Sequence, residues 1–359
     1  MSNANDDFLV LHEIVKAAKK NLSPEIWDYL VGGAETETTM KRNRQAIDSL
    51  AFRPRVLRDV SKVDCSTTLL GEKLRIPVFL APIGSLQDLE PGGGATAARA
   101  ANGFGTACML SSRTEPSLEA VAEAGGGPNI YQLYVRGDRA WVDDHIRRAK
   151  AAGYFALALT VDLDYYGRRE RDLAKRHVTT ARKNVFGDDF QTAFCWDDVK
   201  RLKDSHDIPM ILKGIATSED AGIALEHGIE GIYVSNHGGR QLDQGRGAID
   251  VLPEVVAEVD RRAAIMVDGG FLRGADIVKA IILGADAVGI GRLYGFGIAA
   301  AGDAGVFRAL ELLEAEIRTT LGLLGVKSLG GLDPSNLCAA APVGYPHLMS
   351  AFPLLDDGY

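Results

Sequence analysis

The segment Ser235-Asn236-His237-Gly238-Gly239-Arg240-Gln241-Leu242-Asp243 places proton-transfer and anion-binding groups within nine positions. His237 ends an apolar run, where an imidazole can serve as a base near neutral pH. Two glycines let the chain turn sharply after it, so Arg240 can return to the same cavity, and its guanidinium fork suits a carboxylate. Asp162 ends another apolar run and is the acid to orient the imidazole and stabilise its charged form. Lys213 ends a third run and adds a cation. Two further runs end in Val267-Asp268-Gly269-Gly270 and Gly289-Ile290-Gly291-Arg292. Glycines there let backbone N–H groups approach an anion, and Arg292 adds a charge-assisted bond, which is the chemistry of a phosphate site. The spacing Gly-x-Gly-x-x-x-Gly over 289–295 is not a dinucleotide fingerprint, so NAD is not expected.

These residues need elements that bring them together. Eight short runs are apolar nearly throughout: Pro77–Gly84, Thr106–Ser112, Asn129–Val135, Phe155–Asp162, Pro209–Gly214, Gly231–His237, Ala264–Gly270 and Ala287–Arg292. Such runs read as strands covered on both faces. Helical stretches lie between them. In Gly274–Gly284, for example, Ile277, Val278, Ile281 and Ile282 share a face. Eight strand–helix units with no composition break favour one (β/α)8 TIM barrel, of class α/β, over a doubly wound open sheet. The chemistry of a barrel sits at the C-terminal strand ends. Those ends carry Ser111, Gln132, Tyr134, Thr160, Asp162, Lys213, Ser235, His237, Asp268 and Arg292. A purely structural barrel has no need of so many buried charges there.

The expected organisation is one domain over 1–359. It has an N-terminal helical extension (1–55) whose Ser23-Pro24-Glu25 reads as a helix start, a polar irregular lid (171–195), and a C-terminal tail (338–359) that packs either on the barrel or on another subunit. A hydrophobic share of 46% with 25% charged residues is ordinary globular composition. The formal charge of −8 argues against a nucleic-acid binder. Four scattered Cys exclude a disulfide scaffold and a structural zinc motif, and no apolar run is long enough to span a membrane. A soluble cytoplasmic protein is the expectation.

From about 28 to 332 the sequence resembles the FMN-dependent α-hydroxy acid oxidases and dehydrogenases, which oxidise glycolate, lactate or mandelate. Besides Ser235–Asp243, the resemblance is carried by Tyr29-Leu30-Val31-Gly32-Gly33-Ala34, Phe52-Arg53-Pro54-Arg55, Leu110-Ser111-Ser112, Gln132-Leu133-Tyr134, Leu159-Thr160-Val161-Asp162, Gly167-Arg168-Arg169-Glu170 and Leu212-Lys213-Gly214. It implies a barrel fold, FMN as cofactor, a small 2-hydroxy acid as substrate, and a homo-oligomer, a tetramer by family likeness. It also implies site roles. His237 is the base, held by Asp162. Arg240, Arg169 and Tyr29 grip the substrate carboxylate, and Tyr134 bonds the hydroxyl. Lys213 sits near the flavin N1–C2 carbonyl, and Ser111, Gln132, Thr160 and Ser235 contact the isoalloxazine. Asp268, Gly270, Gly291 and Arg292 hold the phosphate end.

The sequence departs from the family pattern at several points. Leu272 stands where relatives have an arginine, with Arg273 the displaced candidate for the phosphate end. Arg113 and Tyr166 stand where relatives tend to be apolar and face the substrate side chain, which points to a polar, acidic or aromatic substrate. The segment between Glu170 and Trp196 is short for the family, which favours a larger substrate. Glu90-Pro91-Gly92-Gly93-Gly94 replaces a usual His-Pro-Glu-Gly-Glu, and Gly84 leaves room beside the flavin ring. Rival readings are another FMN barrel enzyme, such as an isomerase or ene-type reductase, and a flavin-binding relative without turnover.

Overall fold

The structure, a computed structural model, describes residues 8–183 and 188–359. Its centre is a closed barrel of eight parallel strands: β1 Val78–Leu80, β2 Cys108–Ser111, β3 Asn129–Leu133, β4 Ala156–Thr160, β5 Met210–Ile215, β6 Gly231–Val234, β7 Ala264–Val267 and β8 Ala287–Ile290. Each lies within one of the eight apolar runs except β5, which extends one residue past its run, so the expected (β/α)8 barrel is borne out. Side chains alternate between two cores, as strand pleating requires. Phe79, Met109, Ile130, Ile211, Tyr233 and Met266 fill the barrel. Val78, Leu110, Tyr131, Leu159, Leu212 and Ile232 face the surrounding helices. A hairpin, Thr67–Leu69 with Glu72–Leu74, adds Leu69 and Leu74 to the interior cluster beside Ala107, Phe155 and Ala264 and so closes the N-terminal end. The site is left to the other end.

Three helices precede the barrel: α1 Leu11–Asn21, α2 Pro24–Val31 and α3 Thr38–Asp48. The Ser23 side chain accepts from the Ile26 N–H at 3.4 Å, and Pro24 opens α2 where its missing donor is harmless. This extension is tied to the His237 loop. The Ala34 N–H donates to the Gly239 carbonyl at 2.8 Å. Asp243 accepts from the Thr36 and Thr39 N–H groups at 3.0 and 2.8 Å, holding the entry to α3.

The stretch expected to be an irregular lid is instead largely helical, with Glu170–Ala174, Thr180–Lys183 and Asp188–Ala193. Its polar composition concealed short helices anchored from below. The buried Gln191 accepts from the Val135 N–H at 2.8 Å and donates to the Thr160 carbonyl at 3.1 Å. Residues 184–187 of this stretch lie outside the described residues. The tail folds back on its own chain. Leu337–Ala339 pairs antiparallel with Leu50–Phe52, and Phe352 is buried against His12 and Phe296. Among the described residues no helix is long and apolar enough to cross a membrane.

Candidate active site

A cavity of about 630 Å³ opens at the C-terminal face of the barrel, a usual size for a small-molecule site. His237 sits on its wall between two partners. Its Nδ1 lies 3.0 and 3.2 Å from the two oxygens of Asp162, and its Nε2 lies 3.2 Å from the Tyr134 hydroxyl. A neutral ring that gives its Nδ1 proton to the carboxylate keeps Nε2 as a basic lone pair, to which Tyr134 donates. Burial pulls the His237 pKa below its ordinary value; the charge of Asp162 opposes this but does not reverse it. Burial alone would raise Asp162, yet His237 and Lys213 hold its carboxyl below the usual range. The pair is therefore carboxylate plus neutral imidazole, ready to take a proton.

Backbone strain marks the same place. His237 has φ 57°, and Gly238 and Gly239 follow at 63° and 78°. A non-glycine residue in the left-handed region is uncommon, and such outliers gather at functional sites. The glycines are needed for approach. A Cβ on Gly239 would lie 2.5 Å from the Met40 nitrogen, and one on Gly238 would lie 2.8 Å from Arg292 Nη1. Asp162 has its own accommodation. Gly214 lies at φ 116° beside an irregularity in the β5–β6 register, and a Cβ there would come within 2.7 Å of the Asp162 side chain.

Arg240 and Arg169 line the cavity beside His237. Arg240 Nη1 donates to the carbonyls of Tyr29 and Gly32 at 2.6 and 3.0 Å, so the C-terminal end of α2 holds the cation in place. Its guanidinium rests over the Tyr29 ring at 4.8 Å, while the Tyr29 hydroxyl donates to the Gly84 carbonyl at 2.7 Å. Arg240 Nη2 and Arg169 Nε are buried without hydrogen-bond partners among the described residues. Buried guanidinium nitrogens left open are expensive unless an anion completes them. Burial and then Arg169 depress the Arg240 pKa, so the two cations repel each other across this spot.

Lys213, 2% exposed, donates to Ser235 Oγ at 3.0 Å and lies 3.7 Å from Asp268. Asp268 also accepts from Ser235 at 2.6 Å and from Tyr233 at 2.9 Å. Ser111, Gln132, Thr160 and Ser235 are buried, with Gln132 donating to Thr160 Oγ1 at 2.8 Å. None of the four is among the residues lining the cavity. At the far side Arg292 opens the helix Arg292–Leu324, which has a break at Ala301–Gly302, and it donates to the carbonyls of Gly238 and Gly32 at 2.9 and 2.7 Å. Its pKa is pushed down to about 9, first by burial and then by Arg240.

Arg273 does not belong to this group, which corrects the expectation that it takes over the phosphate end. Its guanidinium binds Glu316 at 2.6 Å and the Ala351 carbonyl at 3.0 Å, away from the cavity. Leu272 lines the cavity in its stead. The N–H groups of Leu272 and Arg273 are both given to Asp276 at 3.0 Å. Asp276 in turn pairs with Arg44 at 2.7 Å, deep under the loop.

The residues present suit a flavin mononucleotide. Among the described residues, Gln132 Oε1 and Arg292 Nε are buried and unpartnered, and a Cβ on Gly291 would meet open space. Tyr29, Tyr134, Arg169, Arg240, Arg113, Lys213, His237, Asp268, Gly270, Gly291 and Arg292 all line one cavity. Arg136, Arg176 and Arg182 line it as well and were not read from the sequence. Arg136 lies two residues past Tyr134, so the strand-end rule could have found it. Arg176 and Arg182 sit on a segment with no strand pattern to point to them.

A family model described as FMN-dependent dehydrogenase matches residues 18–339. Glycolate oxidase 3 of Arabidopsis thaliana is 39% identical over 361 residues, covering 94% of this chain and 98% of that protein. An L-lactate oxidase of a Nostoc species is 38% identical, covering 91% and 97%. A crystal structure of mandelate oxidase with (S)-2-phenylpropionate superposes with a TM-score of 0.87 at 37% identity, over 94% of this chain and 100% of that one. With a matched family model spanning most of its length and relatives near 40% identity, the chain belongs to the FMN-dependent α-hydroxy acid oxidases and dehydrogenases and is an FMN-dependent oxidoreductase of that class.

Proposed function

We propose that this chain oxidises a 2-hydroxy acid to the 2-oxo acid with His237 as the base and an Arg240, Arg169 and Tyr29 carboxylate clamp. The observation that carries the reading is the coincidence, on one cavity wall, of a basic Nε2 and two arginines with open buried nitrogens. A substrate carboxylate completes those nitrogens and fixes the acid in one orientation. Tyr134 holds the substrate hydroxyl toward His237. His237 Nε2 takes a proton, and Asp162 stabilises the imidazolium that forms.

FMN, when bound, would supply the acceptor for the two electrons and for the second hydrogen that the substrate gives up, with O2 or another acceptor reoxidising it. Ser111, Gln132, Thr160, Lys213 and Ser235 would hold its ring, with Lys213 offsetting negative charge. Asp268, Gly270, Gly291 and Arg292 would hold its phosphate end. The reading includes a cytoplasmic homo-oligomer, for which sedimentation tests the assembly.

The clamp is tested by comparing a 2-hydroxy acid with its amide. Wild-type enzyme should prefer the acid by orders of magnitude in kcat/KM, and Arg240→Met should abolish most of that preference. Equal turnover of acid and amide by the wild type would remove the clamp from the reading.

A further inference from the structure

Tyr233 is fully buried in the barrel interior, and among the described residues it is the one member of that apolar cluster with a polar side-chain atom. Phe79, its edge-to-face neighbour at 5.4 Å, shows that a plain ring can fill such a place. A buried hydroxyl is costly unless it finds a partner, and this one finds Asp268. Tyr233 Oη donates to Asp268 Oδ2 at 2.9 Å. Burial and then the charge of Asp268 raise the Tyr233 pKa well above its ordinary value, so the phenol keeps its proton and remains the donor. Gly289 on β8 makes the room, because a Cβ there would collide with Tyr233 Oη.

The hydroxyl occupies a contested oxygen. Asp268 Oδ1 is taken by Ser235 Oγ at 2.6 Å. That Oγ is itself fully used, accepting from Lys213 Nζ and from the His237 N–H at 3.0 Å each. Asp268 Oδ2 is the oxygen that faces Lys213, yet Nζ stays 3.7 Å away, beyond hydrogen-bond distance. Lys213 and Tyr233 are partners in the β5–β6 register, and Nζ lies 5.1 Å from the Tyr233 ring centroid. The tyrosine therefore backs the cation with its ring and takes, with its hydroxyl, the oxygen that would otherwise draw the cation in.

We propose that Tyr233 is a positioning residue that sets the reduction potential of the bound flavin, by holding Asp268 Oδ2 and so keeping Lys213 from closing onto that carboxylate. The inference rests on the reading that Lys213 would offset the negative charge of the reduced ring, and it adds a residue that does not itself line the cavity. A lysine locked onto a carboxylate presents a dipole in place of a charge, and the reduced ring then loses stabilisation. Without the hydroxyl, Oδ2 is a buried acceptor with Lys213 beside it, and the lysine should close.

The test is the midpoint potential of the FMN-loaded protein, from anaerobic equilibration with a reference dye. In Tyr233→Phe the oxidised form should gain about tenfold over the reduced form, a fall of about 30 mV for a two-electron couple. Lys213→Met alone should also lower the potential, and in that background Tyr233→Phe should lose most of its effect. Gly289→Ala drives the hydroxyl away by a different route, should lower the potential too, and serves should Tyr233→Phe fail to fold. A tyrosine that only packs would leave the potential where it is. An unmoved or raised potential in Tyr233→Phe, or an equal fall with and without Lys213, overturns the inference; where Lys213→Met still lowers the potential, the reading of Lys213 stands. An unmoved potential in Lys213→Met defeats that reading and the inference with it.

Discussion

At the scale of single residues the account turns on His237 and Asp162. Their 3.0 Å contact and the partly buried, neutral imidazole make the dyad a base rather than an acid in the resting protein. The sign of the pH dependence follows. The His237 pKa lies below its ordinary value, so the basic form persists as pH falls through about 6.5, and kcat/KM should decline only below that. An acid limb centred above about 7 would contradict this. Asp162→Asn removes the group that opposes the shift, so the limb should move to still lower pH while kcat falls about 10²–10⁴-fold. A merely structural Asp162 would lower kcat without moving the limb. These two residues were legible because each ends an apolar run. Arg273 was misread because the sequence shows where a cation stands but not that Glu316 has already taken it.

At the scale of elements, two arrangements position the site. One is the irregularity after Lys213, where Gly214 gives Asp162 its room. Gly214→Ala should lower kcat through a displaced Asp162 and cost about 1–3 kcal/mol of stability at this φ of 116°. Stopped-flow rates and a thermal melt measure the two effects, and an unchanged kcat would remove Gly214 from the argument. The other is the anchoring of the loop after β7 by Arg44 and Asp276. Burial alone would lower Arg44, but Asp276 and Asp48 outweigh it and keep it charged. Arg44→Met leaves Asp276 buried and unpaired, so the protein should lose about 3–5 kcal/mol of stability, read in denaturant. No sequence pattern disclosed this pair, because Arg44 and Asp276 lie far apart along the chain and α3 carries polar residues on its buried side. The eight strands were legible because a strand covered on both faces must be apolar throughout. The helices of 170–193 were not, because short polar helices held by a few tertiary bonds have no such signature.

At the scale of the whole molecule, one barrel receives its site from four sources. The strand ends supply the dyad and Lys213, the segment after β4 supplies Tyr166, Arg169, Arg176 and Arg182, α2 and the residue after it supply Tyr29 and two carbonyls, and the tail supplies Leu348 to the cavity wall. Removing residues 347–359 takes away the buried Leu348 and Phe352, each worth about 1.5–3 kcal/mol. The truncated chain should melt several degrees lower, and an unchanged melting temperature would show that the tail's packing adds nothing. The net charge of −8 describes the surface, while the cavity gathers arginines, so overall charge would mislead about a ligand that is an anion.

The central claim is that a 2-hydroxy acid is oxidised here by a proton passing to His237. The most direct measurement is anaerobic mixing of the FMN-loaded protein with 2-hydroxy acids while following the flavin absorbance. The account predicts rapid bleaching in the wild type and, in His237→Gln, a protein that stays yellow with bleaching slowed by at least about 10²-fold. Bleaching at wild-type rate in His237→Gln, or none in the wild type with any of these acids, would contradict it.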